Sequence, residues 1–232
     1  MRRGGKCGYN QYMTVDATLP ARGLLLDMDS TLVNSESVVE FLWKGWADEH
    51  GFALEDVLAV SHGRQGWATM AELLPERPEA LNHADNARML VQETQIMDGI
   101  SPIPGAPEFM AAIAELPHAL VTSANTLLTE RRMAAAGLPL PAIRVTAESV
   151  TLSKPDPEGF LKGAAELGLS PDDCLVFEDS EAGIAAAKSA GMRVIGVGPR
   201  AAAFTPTAHV RDLTQIRVAP APGKLITVHV LP

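Results

Sequence analysis

Two aspartates at the end of an apolar run carry the clearest chemistry in this 232-residue sequence. A run of three leucines ends at Leu26 and leads directly into Asp27 and Asp29. Such a run predicts a β-strand buried on both faces, and residues two apart in a strand point to the same side. Both carboxylates should therefore face one pocket at the carboxyl end of the strand, where open parallel sheets bind ligands. A divalent cation that also binds a phosphate oxygen would offset their repulsion.

Polar residues also follow later apolar segments, at points where we predict that strands end. Two hydroxyls before a helix suit a phosphate group. A lysine held in extended backbone before a proline could neutralise both a phosphate and a carboxylate. Two more acids end another buried strand. Together with Asp27 and Asp29 they make four acids, and with the lysine this set could bind both a metal ion and a phosphate group. These residues are Thr122 and Ser123, Lys154, and Glu178 with Asp179.

The segments that must position these residues alternate between helix and strand from residue 104 onward. Four helix–strand units after the opening strand predict an α/β fold with a parallel sheet covered on both faces. The predicted helices are 106–116, 126–136, 157–167 and 182–190, and the predicted strands are 119–123, 143–146, 174–178 and 193–197.

Between the first strand and this alternation lies a block with helical periodicity and no convincing strand. Its first predicted helix has Ser35 as N-cap and ends at Gly51. We predict a core domain, an inserted all-helical cap domain, a disordered tail and a C-terminal extension with an edge strand near 225–228. The further helices are 54–60, 67–74 and 78–95, with an exit linker at 102–105. The domain ranges are 1–20 (tail), 21–34 and 103–216 (core), 35–102 (cap) and 217–232 (extension).

Composition narrows the classes of function. The formal net charge of -9 argues against a nucleic-acid or anionic-membrane surface. Hydrophobic residues make up 47% of the chain, yet no apolar run reaches the length of a membrane span. Cys7 and Cys174 are placed unfavourably for a disulfide, which fits a reducing compartment. We expect a cytoplasmic monomer whose partner is a small phosphorylated metabolite.

The set of motifs resembles the haloacid dehalogenase superfamily of phosphotransferases in its Asp-x-Asp-x-Thr form, which implies a Rossmann-like core. The helical insertion after the first motif resembles the cap of the β-phosphoglucomutase-like branch. Within that branch, SHGRQGW, PIPGAPEF, LVTSA and FEDSEAGIAAAKSAGM are most similar to small bacterial sugar-phosphate phosphatases. They are also similar to glycerol-3-phosphate and 2-deoxyglucose-6-phosphate phosphatases. The resemblance extends from about Arg22 to Gly198.

The resemblance implies a role for each catalytic residue. Asp27 is the nucleophile that takes the phosphoryl group, and Asp29 is the acid/base that protonates the leaving alcohol and then activates water. Lys154 bridges the phosphate and the nucleophile. The phosphate is bound by Thr122 or Ser123, because the alignment can slip by one residue here.

The resemblance also implies a magnesium site. Asp179, the Asp27 side chain and the backbone carbonyl of Asp29 hold Mg²⁺, and Glu178 supports the ion directly or through water. The sequence departs from the family at Ser30, where glycine is usual. If that position needs a positive φ, serine costs about 1 kcal/mol.

The function implied is a magnesium-dependent phosphatase, a phosphoric monoester hydrolase acting on a small sugar or polyol phosphate through an aspartyl-phosphate intermediate. The alternative within the branch is a sugar phosphomutase, which shares every core residue. A dehalogenase is disfavoured because those enzymes lack the second aspartate, which is present here. A non-catalytic binding protein is disfavoured because none of the catalytic residues of the family is lost. The cap turn at 62–65 occupies the place of family specificity residues, so His62 and Arg64 are candidate substrate-binding residues.

Overall fold

The computed structural model describes residues 17–232, and helices and strands are numbered along this part of the chain. The strands are β1 (Ala17–Ala21), β2 (Gly23–Leu26), β3 (Val33–Asn34), β4 (Ser101–Pro102), β5 (His118–Val121), β6 (Ile143–Val145), β7 (Cys174–Glu178), β8 (Arg193–Val197), β9 (Ala208–Val210), β10 (Ile216–Ala221) and β11 (Leu225–Val230). The α-helices are α1 (Glu36–His50), α2 (Leu54–Ser61), α3 (Gly66–Leu73), α4 (Glu79–Glu93), α5 (Ala106–Ile113), α6 (Thr126–Ala135), α7 (Glu158–Glu166), α8 (Glu181–Ser189) and α9 (Gly198–Ala201).

The central sheet is parallel throughout, with the strand order β6-β5-β2-β7-β8-β9. The leucine run of β2 lies in its middle and is fully buried. Leu24 and Leu26 pack into the core on one face, while Leu25 packs into the core on the other. The predicted α/β class and the five predicted strands are confirmed, and β9 adds a sixth that the sequence analysis did not predict.

Helices cover both faces of this sheet. On one face α5 and α6 contribute Phe109, Met110 and Leu128. On the other, α7 and α8 contribute Phe160 and Ile184. Burial on both sides explains why the central strands are continuous apolar runs without polar alternation. The layered core holds the carboxyl ends of β5, β2 and β7 side by side.

The predicted helical block between the first motif and residue 100 consists of α1 to α4. It has a small core of its own, in which Trp43 and Trp46 meet edge to face with ring centroids 5.7 Å apart. Gly51 ends α1 in the left-handed conformation (φ 76°), as predicted. Because a separate core can form within these helices, they can pack over the sheet as a unit.

Two local predictions about the ends of this block need correction. Ser35 occupies the N-cap position of α1, but its side chain makes no capping hydrogen bond. Its hydroxyl donates to Asp29 Oδ1 instead, at 2.7 Å. The first residue of the predicted exit linker, Pro102, belongs to strand β4, which pairs antiparallel with β3. The entry and exit of the helical block are therefore tied together by a two-stranded ribbon.

The two ends of the described chain form a second sheet with the order β1-β11-β10. The prediction of a disordered tail is wrong for residues 17–20, because Ala17–Ala21 pairs with Val230–Ile226. The rest of that prediction, and Cys7, lie outside the described residues. The predicted edge strand is also wrong, since β11 is the central strand of this sheet. Cys174 is a buried thiol.

Candidate active site

The predicted catalytic residues meet at the carboxyl edge of the parallel sheet. β2 lies between β5 and β7, so the residues that follow these strands are neighbours. Asp27 follows β2, Thr122 follows β5, and Asp179 follows β7. Parallel strands in adjacent positions bring residues together that are far apart in sequence. The structure thus places the carboxylates and hydroxyls of the sequence motifs around one point.

Lys154 joins two of the acids. Its Nζ donates to Asp27 Oδ1 at 2.7 Å and to Glu178 Oε2 at 2.8 Å, and it also donates to the Val121 carbonyl at 3.3 Å. The ammonium lies 5.1 Å from the centroid of the Phe160 ring. Burial alone would lower the pKa of Lys154, but the charges of the two carboxylates outweigh burial and raise it. The lysine is therefore a fixed positive charge.

Glu178 uses both carboxylate oxygens within the protein. Oε2 accepts from the lysine, and Oε1 accepts from the backbone N–H groups of Asp179 and Ser180, each at 3.1 Å, and from the Ser180 hydroxyl at 2.8 Å. A Cβ at Gly183 would lie only 2.0 Å from the carboxyl carbon, so the glycine makes room for this side chain. Glu178 orients the lysine and the turn after β7.

Three carboxylates in this edge fit a divalent cation. One oxygen each from Asp27, Glu178 and Asp179 lies within 4.8 Å of the others, and all three residues are buried. Burial, and next the charge of Glu178, raises the pKa of Asp27 from 3.8 to about 7 despite Lys154. Burial, and next the charge of Glu178, also raises the pKa of Asp179 well above its usual value. A hard cation with oxygen ligands would relieve this repulsion, so the residues fit Mg²⁺.

Arg200 from α9 supplies a second positive charge beside the acids. Its Nη1 pairs with Asp179 Oδ2, and its Nη2 lies 2.7 Å from Glu36 Oε1 at the start of α1. The sequence analysis did not single out this arginine. Its position in the fold depends on β8 and on how the helical block lies over the sheet, and no local motif marks it.

The second aspartate of the opening motif points toward the helical block. Asp29 Oδ1 accepts from the Ser35 hydroxyl and lies 2.9 Å from Arg132 Nη1. In the turn between Asp29 and Ser35, Ser30 has φ 60°. The positive φ that the family glycine would supply is therefore required here, and serine adopts it at a cost of about 1 kcal/mol.

The two phosphate-binding candidates differ in their surroundings. The Ser123 hydroxyl donates to the carbonyl of Gly63 in the helical block at 2.8 Å. The Thr122 hydroxyl oxygen accepts from the Ala124 N–H at 3.1 Å, which leaves the Thr122 hydroxyl hydrogen free to donate. Thr122 is therefore the better placed side chain for a phosphate oxygen, while Ser123 contacts the cap.

The turn at 62–65 lies directly over the sheet edge. The Gln65 N–H donates to the Ser153 hydroxyl at 2.9 Å. Gly63 has φ 79°, and a Cβ there would lie 2.1 Å from the Ser180 hydroxyl oxygen. This backbone approaches the core so closely that only glycine fits. The helical block is therefore closed on the core in this structure.

A cavity between the helical block and the core opens onto the two motif aspartates. Apolar walls come from α1 and α4 and include Trp43 and Met89. The polar and charged side chains that line the cavity are Asp27, Asp29, Ser30, Ser35, Glu36, Ser61, His62, Arg64, Gln65, Asn86, Glu93, Thr122, Ser123, Asn125, Arg132 and Asp179.

The two predicted cap residues both lie on this cavity. Burial, followed by the charge of Arg200, lowers the pKa of His62 from 6.5 to about 4, so its ring is neutral at pH 7. Arg64 Nη1 pairs with Glu72 Oε2 of α3. The sequence motif at 62–65 does not reveal this pairing, because Glu72 lies in the last turn of the following helix, α3.

We expect Mg²⁺ to stabilise the protein more at pH 8 than at pH 5.5. With a pKa of about 7 in the folded state and 3.8 ordinarily, Asp27 holds a proton that the unfolded chain has lost. Metal-free stability therefore falls as the pH rises from about 4 to about 7. At pH 5.5 the ion must displace this proton, so its affinity should be about thirtyfold weaker. Thermal unfolding with Mg²⁺ or with chelator, at both pH values, measures the difference.

Asp27→Asn is the matched control, because it removes the titrating group and keeps the shape. Its Mg²⁺-dependent shift in Tm should be small, and nearly the same at both pH values. An equal shift for the wild type at the two pH values would contradict the prediction that Asp27 is a metal ligand.

Comparisons with known proteins identify the family of this chain. Residues 21–191 match the family described as haloacid dehalogenase-like hydrolase. Hexitol phosphatase A of Escherichia coli is 40% identical over 194 residues, which cover 83% of this chain and 89% of that protein. Glycerol-1-phosphate phosphohydrolase 2 of Saccharomyces cerevisiae is 32% identical over 197 residues, covering 79% of this chain and 77% of that protein.

The fold is also found among solved structures. A β-phosphoglucomutase from Clostridium difficile superposes with a TM-score of 0.71 at 18% identity, covering 85% of this chain and 93% of that one. Within residues 17–232, no helix is both long and apolar enough to cross a membrane.

The resemblance inferred from the sequence is thus confirmed by the match over residues 21–191 and by relatives that cover most of the chain. The predicted enzyme class is confirmed as well, since the chain is a phosphoric monoester hydrolase. The protein belongs to the haloacid dehalogenase-like hydrolase family.

Proposed function

We propose that this enzyme is a magnesium-dependent phosphatase that hydrolyses a small sugar or polyol phosphate through an aspartyl phosphate. The observation that carries the proposal is the buried cluster in which Lys154 joins Asp27 to Glu178 beside Asp179. The cluster faces a cavity that is covered by the helical block. A phosphate group bound there would be within reach of Asp27 as nucleophile, of the Lys154 cation and of Asp29 as acid/base.

In the first step a carboxylate oxygen of Asp27 attacks the phosphorus atom, and the bond from phosphorus to the alcohol oxygen breaks. Asp29 gives its proton to that oxygen, so the alcohol leaves neutral. The products of this step are the free alcohol, an aspartyl phosphate and the Asp29 carboxylate. Lys154, fixed by Glu178, stabilises the negative charge on the phosphoryl oxygens.

In the second step water attacks the phosphorus atom of the aspartyl phosphate. Asp29 takes a proton from that water, and the bond from phosphorus to the Asp27 oxygen breaks. Inorganic phosphate leaves, and Asp27 and Asp29 return to their initial states. The hydroxyl of Thr122 would donate to a phosphoryl oxygen in both steps.

The side chains of Asp27 and Asp179 and the backbone carbonyl of Asp29 would hold Mg²⁺, with Glu178 behind them. When bound, the ion neutralises charge on the phosphoryl oxygens and on the clustered carboxylates. The close grouping of buried carboxylate oxygens supports this assignment.

The helical block 35–102 is proposed to act as a lid. Its entry and exit are joined by the β3–β4 ribbon, which leaves the block attached at one place. Two contacts hold it closed near the phosphate site, from Ser123 to Gly63 and from Gln65 to Ser153. Closure would exclude bulk water while the phosphoryl group transfers.

The charges around the cavity favour a phosphatase over a mutase. A mutase must also bind the second phosphate of a bisphosphate intermediate, which calls for a spare cation. Among the described residues that line the cavity, the two arginines are paired with carboxylates, since Arg64 meets Glu72 and Arg132 meets Glu93. His62 is neutral at pH 7. The hydroxyl groups of a sugar or polyol, by contrast, need no spare cation and can bond to the other polar side chains that line the cavity.

A phosphate-release screen tests the proposal. Hexitol phosphates, glycerol 1-phosphate and hexose phosphates are offered with Mg²⁺ or with excess chelator, and the products are identified. We expect inorganic phosphate and a free polyol or sugar, with activity lost in chelator and restored by Mg²⁺. An isomeric sugar phosphate formed only with a bisphosphate primer would instead establish the mutase.

We predict that Arg64→Ala changes the ranking of substrates. The guanidinium is held at the cavity wall by Glu72 and can donate to a substrate hydroxyl. Loss of one such contact should raise KM for the preferred substrate about tenfold, with little change for p-nitrophenyl phosphate. The measurement is the full substrate profile of both proteins.

Arg88→Ala is the control for Arg64→Ala, because Arg88 forms an exposed salt bridge with Glu49 on the outer side of the helical block. It should leave the profile unchanged. If Arg64→Ala also leaves the profile unchanged, the turn at 62–65 does not select the substrate.

A further inference from the structure

One arginine connects the acid/base to the helical block. Arg132 lies on α6 of the core, and its side chain is only 3% exposed. Its Nη1 is 2.9 Å from Asp29 Oδ1, and its Nη2 donates to Glu93 Oε1 at 2.5 Å. Glu93 is the last residue of α4 and belongs to the helical block. A single buried guanidinium thus touches both halves of the closed enzyme at the site.

Burial makes this bridge dependent on both of its carboxylates. Taking a guanidinium out of water is unfavourable unless anions compensate, and here Glu93 does so, joined by Asp29 once it has given up its proton. Within residues 17–232 the buried Nε atom of Arg132 has no hydrogen-bond partner, so the two Nη atoms make its polar contacts there. If the helical block opened and carried Glu93 away, Asp29 alone would remain to balance the charge of Arg132.

We propose that Arg132 is a positioning residue that orients Asp29 for proton transfer, and that Glu93 makes this orientation depend on closure of the helical block. The inference rests on the proposed function, in which Asp29 protonates the leaving alcohol. It assigns to α6 and α4 a part in catalysis that the sequence motifs do not mark.

The geometry at Asp29 supports this role. Both the Ser35 hydroxyl and Arg132 Nη1 contact the same oxygen, Oδ1. No described residue donates a hydrogen bond to the other oxygen, Oδ2, which is therefore available to a leaving group. A planar guanidinium held at both ends is a more rigid support than a flexible side chain, because its donors keep a fixed geometry. The carboxylate is therefore aimed by a hydroxyl from the start of α1 and by a cation from α6.

The neighbouring residue supplies a matched control. Arg131 is exposed and also reaches the helical block, where its Nη1 donates to the Thr94 carbonyl at 3.0 Å. It also joins core and block, through a backbone carbonyl instead of a carboxylate, and it makes no contact with Asp29. Arg131→Met and Arg132→Met therefore separate loss of a closing contact from loss of the support for Asp29.

The test uses two substrates that differ in their need for a proton. One substrate is glycerol 1-phosphate, or the alkyl phosphate that the wild type hydrolyses fastest. Its alcohol would leave as a strongly basic alkoxide unless the leaving oxygen is protonated. p-Nitrophenyl phosphate leaves as a stable phenolate. With enzyme in excess over substrate, the rate of alcohol or p-nitrophenol release reports the first step alone.

For Arg132→Met we expect release of the alkyl alcohol to slow about 10²-fold, and release of p-nitrophenol to slow by no more than about threefold. Arg131→Met should leave both rates near those of the wild type. Equal slowing with both substrates would show a merely structural role and overturn the inference. So would unchanged rates with both substrates.

Glu93→Gln and Arg132→Lys keep the test valid if Arg132→Met fails to fold. Both should show the same preference for p-nitrophenyl phosphate, to a smaller extent, because each keeps part of the bridge. The absence of that preference in the folded variants would overturn the inference. A wild type that releases phosphate from no substrate in the screen would overturn the proposed function, and the inference with it.

Discussion

Asp27→Asn should fold normally and lose at least about 10⁴-fold in turnover. An amide cannot take the phosphoryl group, so the two-step route through the aspartyl phosphate is closed. The amide oxygen of the new side chain would still accept a hydrogen bond from Lys154, which keeps the local geometry. Phosphate release in a sensitive assay, on the best substrate of the screen, measures the loss.

The stability of the same variant is the control for its loss of activity. The Asp27 carboxylate is buried near the charge of Glu178, and burial raises its pKa to about 7. Replacing it with a neutral amide removes part of that repulsion, so the metal-free variant should unfold at the same temperature as the wild type or higher. A pure, folded variant with activity within tenfold of the wild type would exclude Asp27 as the nucleophile.

The central fold could be predicted from the sequence because its signals are local. Residues 24–26 form a continuous apolar run, which only a strand covered on both faces can bury. The outlying strands were missed for an equally physical reason. β1 contains Pro20 and pairs with β11, more than 200 residues away, and β9 has only three residues. Neither has a periodicity that identifies it without its partner.

The residues of the candidate site also divide into those that local sequence signals predict and those that they do not. Asp27, Asp179 and Lys154 lie next to predicted strand or helix ends, so their convergence follows from the parallel sheet. Arg132 and Arg200 contact residues of the helical block, and the placement of that block over the core leaves no local pattern. One signal was present, since Arg132 lies four residues after the buried Leu128 on the same face of α6. A charge in that position indicates a buried partner.

Lys154→Met should reduce kcat/KM about 10³-fold, because it removes the cation that is proposed to face both the phosphoryl oxygens and the nucleophile. Methionine keeps most of the apolar stem, which packs near Phe160. It leaves Asp27 and Glu178 without their shared partner. Breaking a buried pair in this way costs about 3 to 5 kcal/mol of stability unless one of the acids takes up a proton.

The pH dependence of unfolding separates these two effects. Below pH 7 Asp27 can hold a proton, so Lys154→Met should be destabilised less at pH 6 than at pH 8. Mg²⁺ supplies a positive charge to the same carboxylates and should restore much of the stability. It should not restore turnover, because no donor replaces Lys154 beside the phosphate.

Lys162→Met is the control for Lys154→Met. Lys162 is exposed on α7 and donates to the Ser149 carbonyl at 2.9 Å, away from the acids. Its replacement should change neither activity nor the dependence of stability on pH. If Mg²⁺ restores both stability and activity to Lys154→Met, the lysine only holds the carboxylates together. If it restores stability alone, Lys154 acts on the phosphoryl group itself, which is the outcome that a buried cation shared by Asp27 and Glu178 predicts.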